Sequence, residues 1–115
     1  PSAIRQEGSD EIFLLSYAMI RKFRDSYFQG DVDKSLPDVS PIQGDLRGMP
    51  PALFTVGTRD LLLDDSLFMY GRWLSYGSNA EIVIVPGADH AFNAFPSETT
   101  TLVENKINEF LQSVL

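Results

Sequence analysis

Two short apolar segments with a helical pattern between them constrain the fold more than any other feature of this sequence. Residues 52–57 and 81–85 are rich in apolar and β-branched residues, and neither shows the alternation of a strand with one solvated face. The intervening segment carries apolar residues at helical spacing, namely Leu67, Tyr70, Trp73 and Leu74. We therefore predict a β-α-β unit with parallel strands and a right-handed crossover.

The residues before this unit predict one helix and one long irregular connection. Apolar spacings of three and four indicate a helix over about 10–27, with Ser9 or Asp10 as its N-cap and Gly30 as its stop. Residues 31–51 hold four Pro and two Gly without a sustained period. A connection of this length is typical of a functional loop or a packed surface loop.

Capping residues set the expected ends of the other two helices. Asp64 or Asp65 is a candidate N-cap for the central helix, and Gly77 is its expected end. A last amphipathic helix starts at Ser97 or Thr101 and is indicated by Val103, Ile107, Phe110, Leu111 and Val114. The predicted order is helix, loop, strand, helix, strand, helix, which is an α/β architecture.

Two strands are too few for such apolar segments. Wholly apolar parallel strands need neighbouring strands at their edges and helices on both faces. We therefore expect the chain to form the edge of a larger sheet whose other strands lie elsewhere. The length of 115 residues fits one domain.

Composition excludes several classes of function. The chain has no Cys, which rules out disulfides, thiolate metal sites and thiol nucleophiles. The net charge of −7 disfavours nucleic-acid binding, because such a surface repels phosphate. No apolar run approaches the roughly 18 residues that a membrane span needs.

Asp60 and His90 are the candidate catalytic residues. Asp60 follows the first predicted strand and His90 the second, and loops at the carboxyl ends of adjacent parallel strands lie side by side. A carboxylate beside an imidazole fixes its tautomer and stabilises the imidazolium. From the residues alone, Asp60 can equally be a turn or cap residue, and His90 a residue that braces its loop. One His with scattered Asp gives no recognisable metal-ligand spacing.

Three segments together resemble the hormone-sensitive-lipase-like carboxylesterases of the α/β-hydrolase fold: Leu46–Leu53, Val56–Ser66 and Val85–Phe92. The resemblance runs from about Pro37 to Leu115. It implies a C-terminal fragment of an α/β-hydrolase parallel sheet. Residues 1–36 are then the helix and connection preceding the sheet, and residues 37–115 its β-α-β-α end. Asp60 resembles the triad acid and His90 the general base, and no cofactor or metal is implied.

The sequence departs from that family's pattern at several points. Leu61 follows the acid where the family often has Pro, and Ala91 follows the His where it often has Gly. There is no Gly-x-Ser-x-Gly nucleophile elbow and no His-Gly-Gly-type oxyanion loop. In the family both lie upstream, so we expect this chain to supply the acid and base and to be inactive alone.

The resemblance also sets expectations about partners. The complete enzyme would take an ester substrate, and the chain would associate with an N-terminal hydrolase half or with itself to cover its sheet. A different interpretation is a non-catalytic interaction domain of hydrolase ancestry, since the nucleophile motif is missing. A third is the corresponding part of a peptidase or a dienelactone-hydrolase-like relative, whose final Asp and His segments are similar.

Overall fold

The computed structural model describes residues 14–115 and has the predicted α/β order. Its regular elements are the helices α1 (Tyr17–Tyr27), α2 (Leu63–Ser75) and α3 (Glu98–Val114) and the strands β1 (Ala52–Gly57) and β2 (Ala80–Val85). Short 3-10 turns lie at Pro41–Gln43 and Phe92–Ala94. The predicted strands are confirmed to within one residue.

The two strands form a parallel sheet with a helix on each face. Leu53 of β1 lies beside Glu81 of β2 in the register. Phe54 packs edge to face on Trp73 of α2, with ring centroids 5.8 Å apart, whereas Glu81 pairs with Lys106 of α3 at 3.0 Å. Because successive side chains of a strand point to opposite faces, α2 and α3 cover opposite sides of the sheet.

Helix α1 begins later than the sequence pattern predicts. Ser16 is its N-cap, and the Ser16 hydroxyl accepts a hydrogen bond from the Met19 N–H at 3.2 Å. Residues 14–16 are therefore not helical, because a serine that caps the backbone N–H groups starts the helix after itself. The predicted caps Ser9 and Asp10 lie outside the described residues.

The end of α1 agrees with the prediction, but its cap does not. The helix ends at Tyr27 with Phe28 as its extended C-cap, whose N–H donates to the Arg24 carbonyl at 2.9 Å. Gly30 lies beyond this cap with a φ of 88°. The predicted end near residue 27 is therefore confirmed, but Phe28 is the C-cap, and Gly30 turns the chain only after the helix has ended.

Of the predicted N-caps for the other two helices, the one for α3 is confirmed and the one for α2 is wrong. The N-cap of α2 is Leu62, not Asp64 or Asp65. Both acids lie in the first turn of α2, where the positive end of the helix dipole stabilises their negative charge. The hydroxyl of Ser97 caps α3 by accepting from the Thr100 N–H at 3.0 Å, which confirms the first of the two predicted candidates.

The long irregular connection is held against α2 by two side chains of the helix, which donate hydrogen bonds to carbonyl groups of the connection. Arg72 Nη2 donates to the Gly44 carbonyl at 2.7 Å, and Trp73 Nε1 donates to the Pro50 carbonyl at 2.9 Å. Leu46 of the same connection is buried. The connection is therefore a packed surface loop, one of the two predicted alternatives.

The core of the described residues is small, and it lies largely at the carboxyl end of the sheet. The buried apolar side chains are Leu46, Val56, Leu61, Val85 and Val103. The prediction that neither strand has a solvated face is wrong for β2, where Ile84 is 43% exposed. Phe23 and Phe68 are also exposed. No helix within residues 14–115 is long and apolar enough to cross a membrane.

Candidate active site

Asp60 is fixed in the turn between β1 and α2. Its backbone N–H donates to the Gly57 carbonyl at 3.1 Å, and its own carbonyl accepts from the Leu63 N–H at 3.2 Å. The Asp60 Oδ1 accepts from the Leu62 N–H at 2.8 Å. Only 6% of the residue is exposed, so the carboxylate is held in one orientation and shielded from water.

The second oxygen of this carboxylate contacts the imidazole of His90. Asp60 Oδ2 lies 3.0 Å from His90 Nδ1 across a separation of 30 residues. A carboxylate only accepts hydrogen bonds, so Nδ1 carries the proton and the lone pair of a neutral ring is on Nε2. The two residues that the strand ends predicted to be neighbours are indeed in hydrogen-bond contact, and 36% of the His90 side chain is exposed.

Backbone contacts bring the two loops together. The Gly87 N–H donates to the Thr58 hydroxyl at 2.8 Å, and the Arg59 N–H donates to the Ala88 carbonyl at 3.0 Å. Gly57 lies against the same segment so closely that a Cβ added there would meet the Ala88 oxygen at 2.1 Å. Glycine at the end of β1 therefore allows the loop of His90 to approach the loop of Asp60.

An ion pair joins the residues that precede the acid and the base. Arg59 Nε donates to Asp89 Oδ1 at 3.1 Å, again across 30 residues. The sequence pattern assigns neither residue a role. The pair has the same separation of 30 residues as Asp60 and His90, but a separation alone does not show which side chains of two loops meet.

The two minor departures from the family pattern have structural counterparts. Leu61, at 1% exposure, is the most buried apolar side chain of the described core, so the position after Asp60 is a core position. Ala91 has a φ of 56°, the left-handed conformation that glycine adopts without cost. An L-residue there is strained by about 1–2 kcal/mol.

A pocket of about 310 Å³ adjoins His90. Its apolar wall includes Leu14, Pro86, Phe92 and Phe95, and its polar wall includes Ser97. Within residues 14–115 there is no group of three or more His, Asp or Glu side chains that would hold a metal ion. The arrangement is thus suited to proton transfer at His90 Nε2, beside a space that admits a small organic group.

Comparison with known proteins places this geometry in a family. A family profile described as alpha/beta hydrolase fold matches residues 1–94. The chain belongs to the α/β-hydrolase fold family. The predicted α/β fold class is therefore confirmed, including the parallel strand pair.

Solved structures similar to this chain include esterases. A hyperthermophilic esterase from the archaeon Pyrobaculum calidifontis superposes with a TM-score of 0.88 and 25% identity, over 99% of this chain and 38% of that one. EstE7, a hormone-sensitive-lipase homologue from a metagenome library, superposes with a TM-score of 0.83 and 26% identity. The match covers 90% of this chain and 36% of the EstE7 chain. The resemblance to the hormone-sensitive-lipase-like type is confirmed.

Curated relatives point the same way over a shorter segment. An esterase of Acinetobacter venetianus is 42% identical over 53 residues, which are 46% of this chain and 18% of the relative. An acetyl-hydrolase of Streptomyces hygroscopicus is also 42% identical over 53 residues, which are 17% of the length of that relative. This chain thus spans about a fifth of the length of these curated relatives and under two fifths of the solved esterases.

Proposed function

We propose that this chain supplies the acid and the general base of a serine-type carboxylic ester hydrolase. His90 would take a proton from a serine hydroxyl as that oxygen attacks an ester carbonyl, and would then give the proton to the leaving alcohol. Asp60 would orient the imidazole and stabilise its charged form. The observation that carries the proposal is the 3.0 Å contact between Asp60 Oδ2 and His90 Nδ1 at the carboxyl ends of adjacent parallel strands.

Burial of the acid supports this assignment over a simple turn role. One carboxylate oxygen of Asp60 accepts the Leu62 N–H, which leaves the other directed at the imidazole. His90 combines this fixed Nδ1 with a partly exposed ring and an adjoining pocket. A residue that only braced its loop would not need an open ring edge beside a pocket.

The nucleophile is proposed to come from another part of the hydrolase domain. No Gly-x-Ser-x-Gly motif occurs in the sequence, and Asp60 and His90 alone do not supply the hydroxyl that would be acylated. We propose that residues 37–115 form the β-α-β-α end of the sheet and residues 1–36 the helix and connection preceding it. The missing Ser and the oxyanion donors would then belong to preceding strands, and no cofactor or metal is required.

The test is a chimera in which this chain replaces the matching 38% of the Pyrobaculum esterase. Its hydrolysis of a short-chain p-nitrophenyl ester is compared for the unmodified chimera and its variants. We expect His90→Ala and Asp60→Asn each to lower kcat by about 10³–10⁴, because the first removes the base and the second leaves the wrong tautomer. Asp65→Asn, an acid in the first turn of α2, serves as the control and should retain activity.

The isolated 115-residue chain gives the complementary measurement. With its intact mass recorded on the same sample, it should show no turnover of the ester. Turnover that disappears in His90→Ala would reveal a nucleophile within the chain and contradict the proposed division of the site. A folded, active chimera that tolerates His90→Ala would contradict the role of His90 and favour a non-catalytic domain of hydrolase ancestry.

A further inference from the structure

We propose that the ion pair between Arg59 and Asp89 is a positioning device that sets the orientation of His90 toward Asp60. Arg59 directly precedes Asp60, and Asp89 directly precedes His90. Each pair is separated by 30 residues, so two consecutive positions of one loop contact two consecutive positions of the other. This inference rests on the proposed function, because the orientation matters only if His90 acts as the base.

The ion pair adds a restraint that the backbone contacts do not supply. Hydrogen bonds from Gly87 to Thr58 and from Arg59 to Ala88 fix the start of the second loop, but they end before Asp89. The bond from Arg59 Nε to Asp89 Oδ1, at 3.1 Å, is the next link along the two loops. This bond restrains Asp89, the residue directly before His90 in the chain.

Exposure indicates that stability is not the main effect of this pair. The side chains of Arg59 and Asp89 are 44% and 31% exposed, and ion pairs of that exposure contribute little to folding free energy. A small restraint still matters for the neighbouring bond, because a hydrogen bond between a ring N–H and a carboxylate weakens steeply with angle and distance. The pair is thus expected to act on the geometry of His90 more than on the fold.

The chain contains one histidine, which makes the test direct. The 115-residue chain is labelled with ¹⁵N-histidine, and the Nδ1 and Nε2 chemical shifts report the tautomer of the neutral ring. In the wild-type chain we expect the Nδ1–H form to dominate, because Asp60 accepts that proton. Arg59→Gln and Asp89→Asn should each lower the ratio of Nδ1–H to Nε2–H by about threefold or more, as the weakened bond releases the ring.

Two further variants separate positioning from a general surface effect. Arg59→Lys retains a cation that can reach Asp89 and should keep most of the wild-type ratio. Lys106→Gln removes a different long-range ion pair of similar exposure, 42% and 48%, and should leave the tautomer unchanged. Thermal unfolding should shift slightly and to a similar extent in Arg59→Gln and Lys106→Gln. In the chimera, Arg59→Gln should lower kcat by about tenfold with KM unchanged.

The outcomes distinguish this inference from the proposed function. If Asp60→Asn abolishes the Nδ1–H form but Arg59→Gln and Asp89→Asn behave like Lys106→Gln, the positioning role is wrong and the acid–base pair stands. If the wild-type ring already shows the tautomer ratio of the Asp60→Asn variant, the bond between Asp60 and His90 does not form in solution. That result would overturn the positioning role and the geometry of the proposed site together.

Discussion

At the scale of single residues, Gly57 controls how closely the loops of Asp60 and His90 approach each other. A Cβ at this position would lie 2.1 Å from the Ala88 oxygen and 2.5 Å from its carbonyl carbon. We expect Gly57→Ala to lower the free energy of unfolding by about 2–3 kcal/mol, because a backbone group has to move. Urea unfolding followed by circular dichroism measures the change.

The matched control for this substitution is Gly71→Ala. Gly71 lies within α2, and a Cβ there would meet nothing within 4 Å. Alanine should raise the free energy of unfolding by about 0.5–1 kcal/mol through helix propensity. Equal effects of the two substitutions would show that the contact between Gly57 and Ala88 is not tight in solution.

Ala91 offers a second residue-scale prediction, with opposite signs for two variants. Its φ of 56° strains an L-residue, and glycine relieves that strain but also raises the conformational entropy of the unfolded chain. Because the relief of strain is the larger effect, Ala91→Gly should raise the free energy of unfolding by about 0.5 kcal/mol. Ala91→Val should lower it by about 1–3 kcal/mol, because a β-branched side chain tolerates this conformation poorly. Thermal melts of the three proteins measure both changes, and a valine variant as stable as the wild type would contradict the assigned backbone.

The residues of the site were predictable to different degrees. Asp60 and His90 could be placed together because strand ends in a parallel sheet determine which loops are neighbours. The pair of Arg59 and Asp89 was missed because side-chain pairing within a loop depends on the loop's backbone path, which no periodicity encodes. Ala91 was noted as a departure from a glycine position, and the structure shows that its backbone has the positive φ that glycine favours.

At the scale of elements, α3 is tied to the loop of His90 through its N-terminus. The Ser97 hydroxyl accepts from the Thr100 N–H, and the Thr100 hydroxyl donates to the Phe95 carbonyl at 2.7 Å. Ser97→Ala should lower the free energy of unfolding by about 1 kcal/mol, as loss of an N-cap typically does. Ser113→Ala, near the other end of the helix, is the control and should change it by less than about 0.5 kcal/mol. Chemical denaturation compares the two, and equal losses would contradict a capping role.

Element types were predicted better than element ends. Both strands were recognised because unbroken apolar runs bounded by Gly and Pro have few other uses in a soluble domain. The start of α1 was misplaced because Ser16, which lies inside the predicted helix, has the chemistry of an N-cap and caps the helix from there. For α2, Asp64 and Asp65 were taken for caps, but the preceding turn is closed by Asp60 instead.

At the scale of the whole molecule, exposed apolar side chains predict association. Leu102 and Phe68 are 70% and 55% exposed, and a sheet of two strands leaves both of its edges without a partner strand among the described residues. We expect sedimentation velocity at about 10–100 μM to show species heavier than the 12.8 kDa chain. The unfolding temperature should rise with concentration for the same reason. A single 12.8 kDa species across that range would contradict the prediction.

The spacing of Asp60 and His90 has a consequence for how the site forms during folding. Their contact closes a loop of 30 residues that contains α2 and β2. Closing so short a loop has a modest entropic cost, and contacts of low sequence separation form early. The acid–base pair is therefore expected to assemble on the time scale of this local unit. Docking of the element that brings the serine would be a later and slower step.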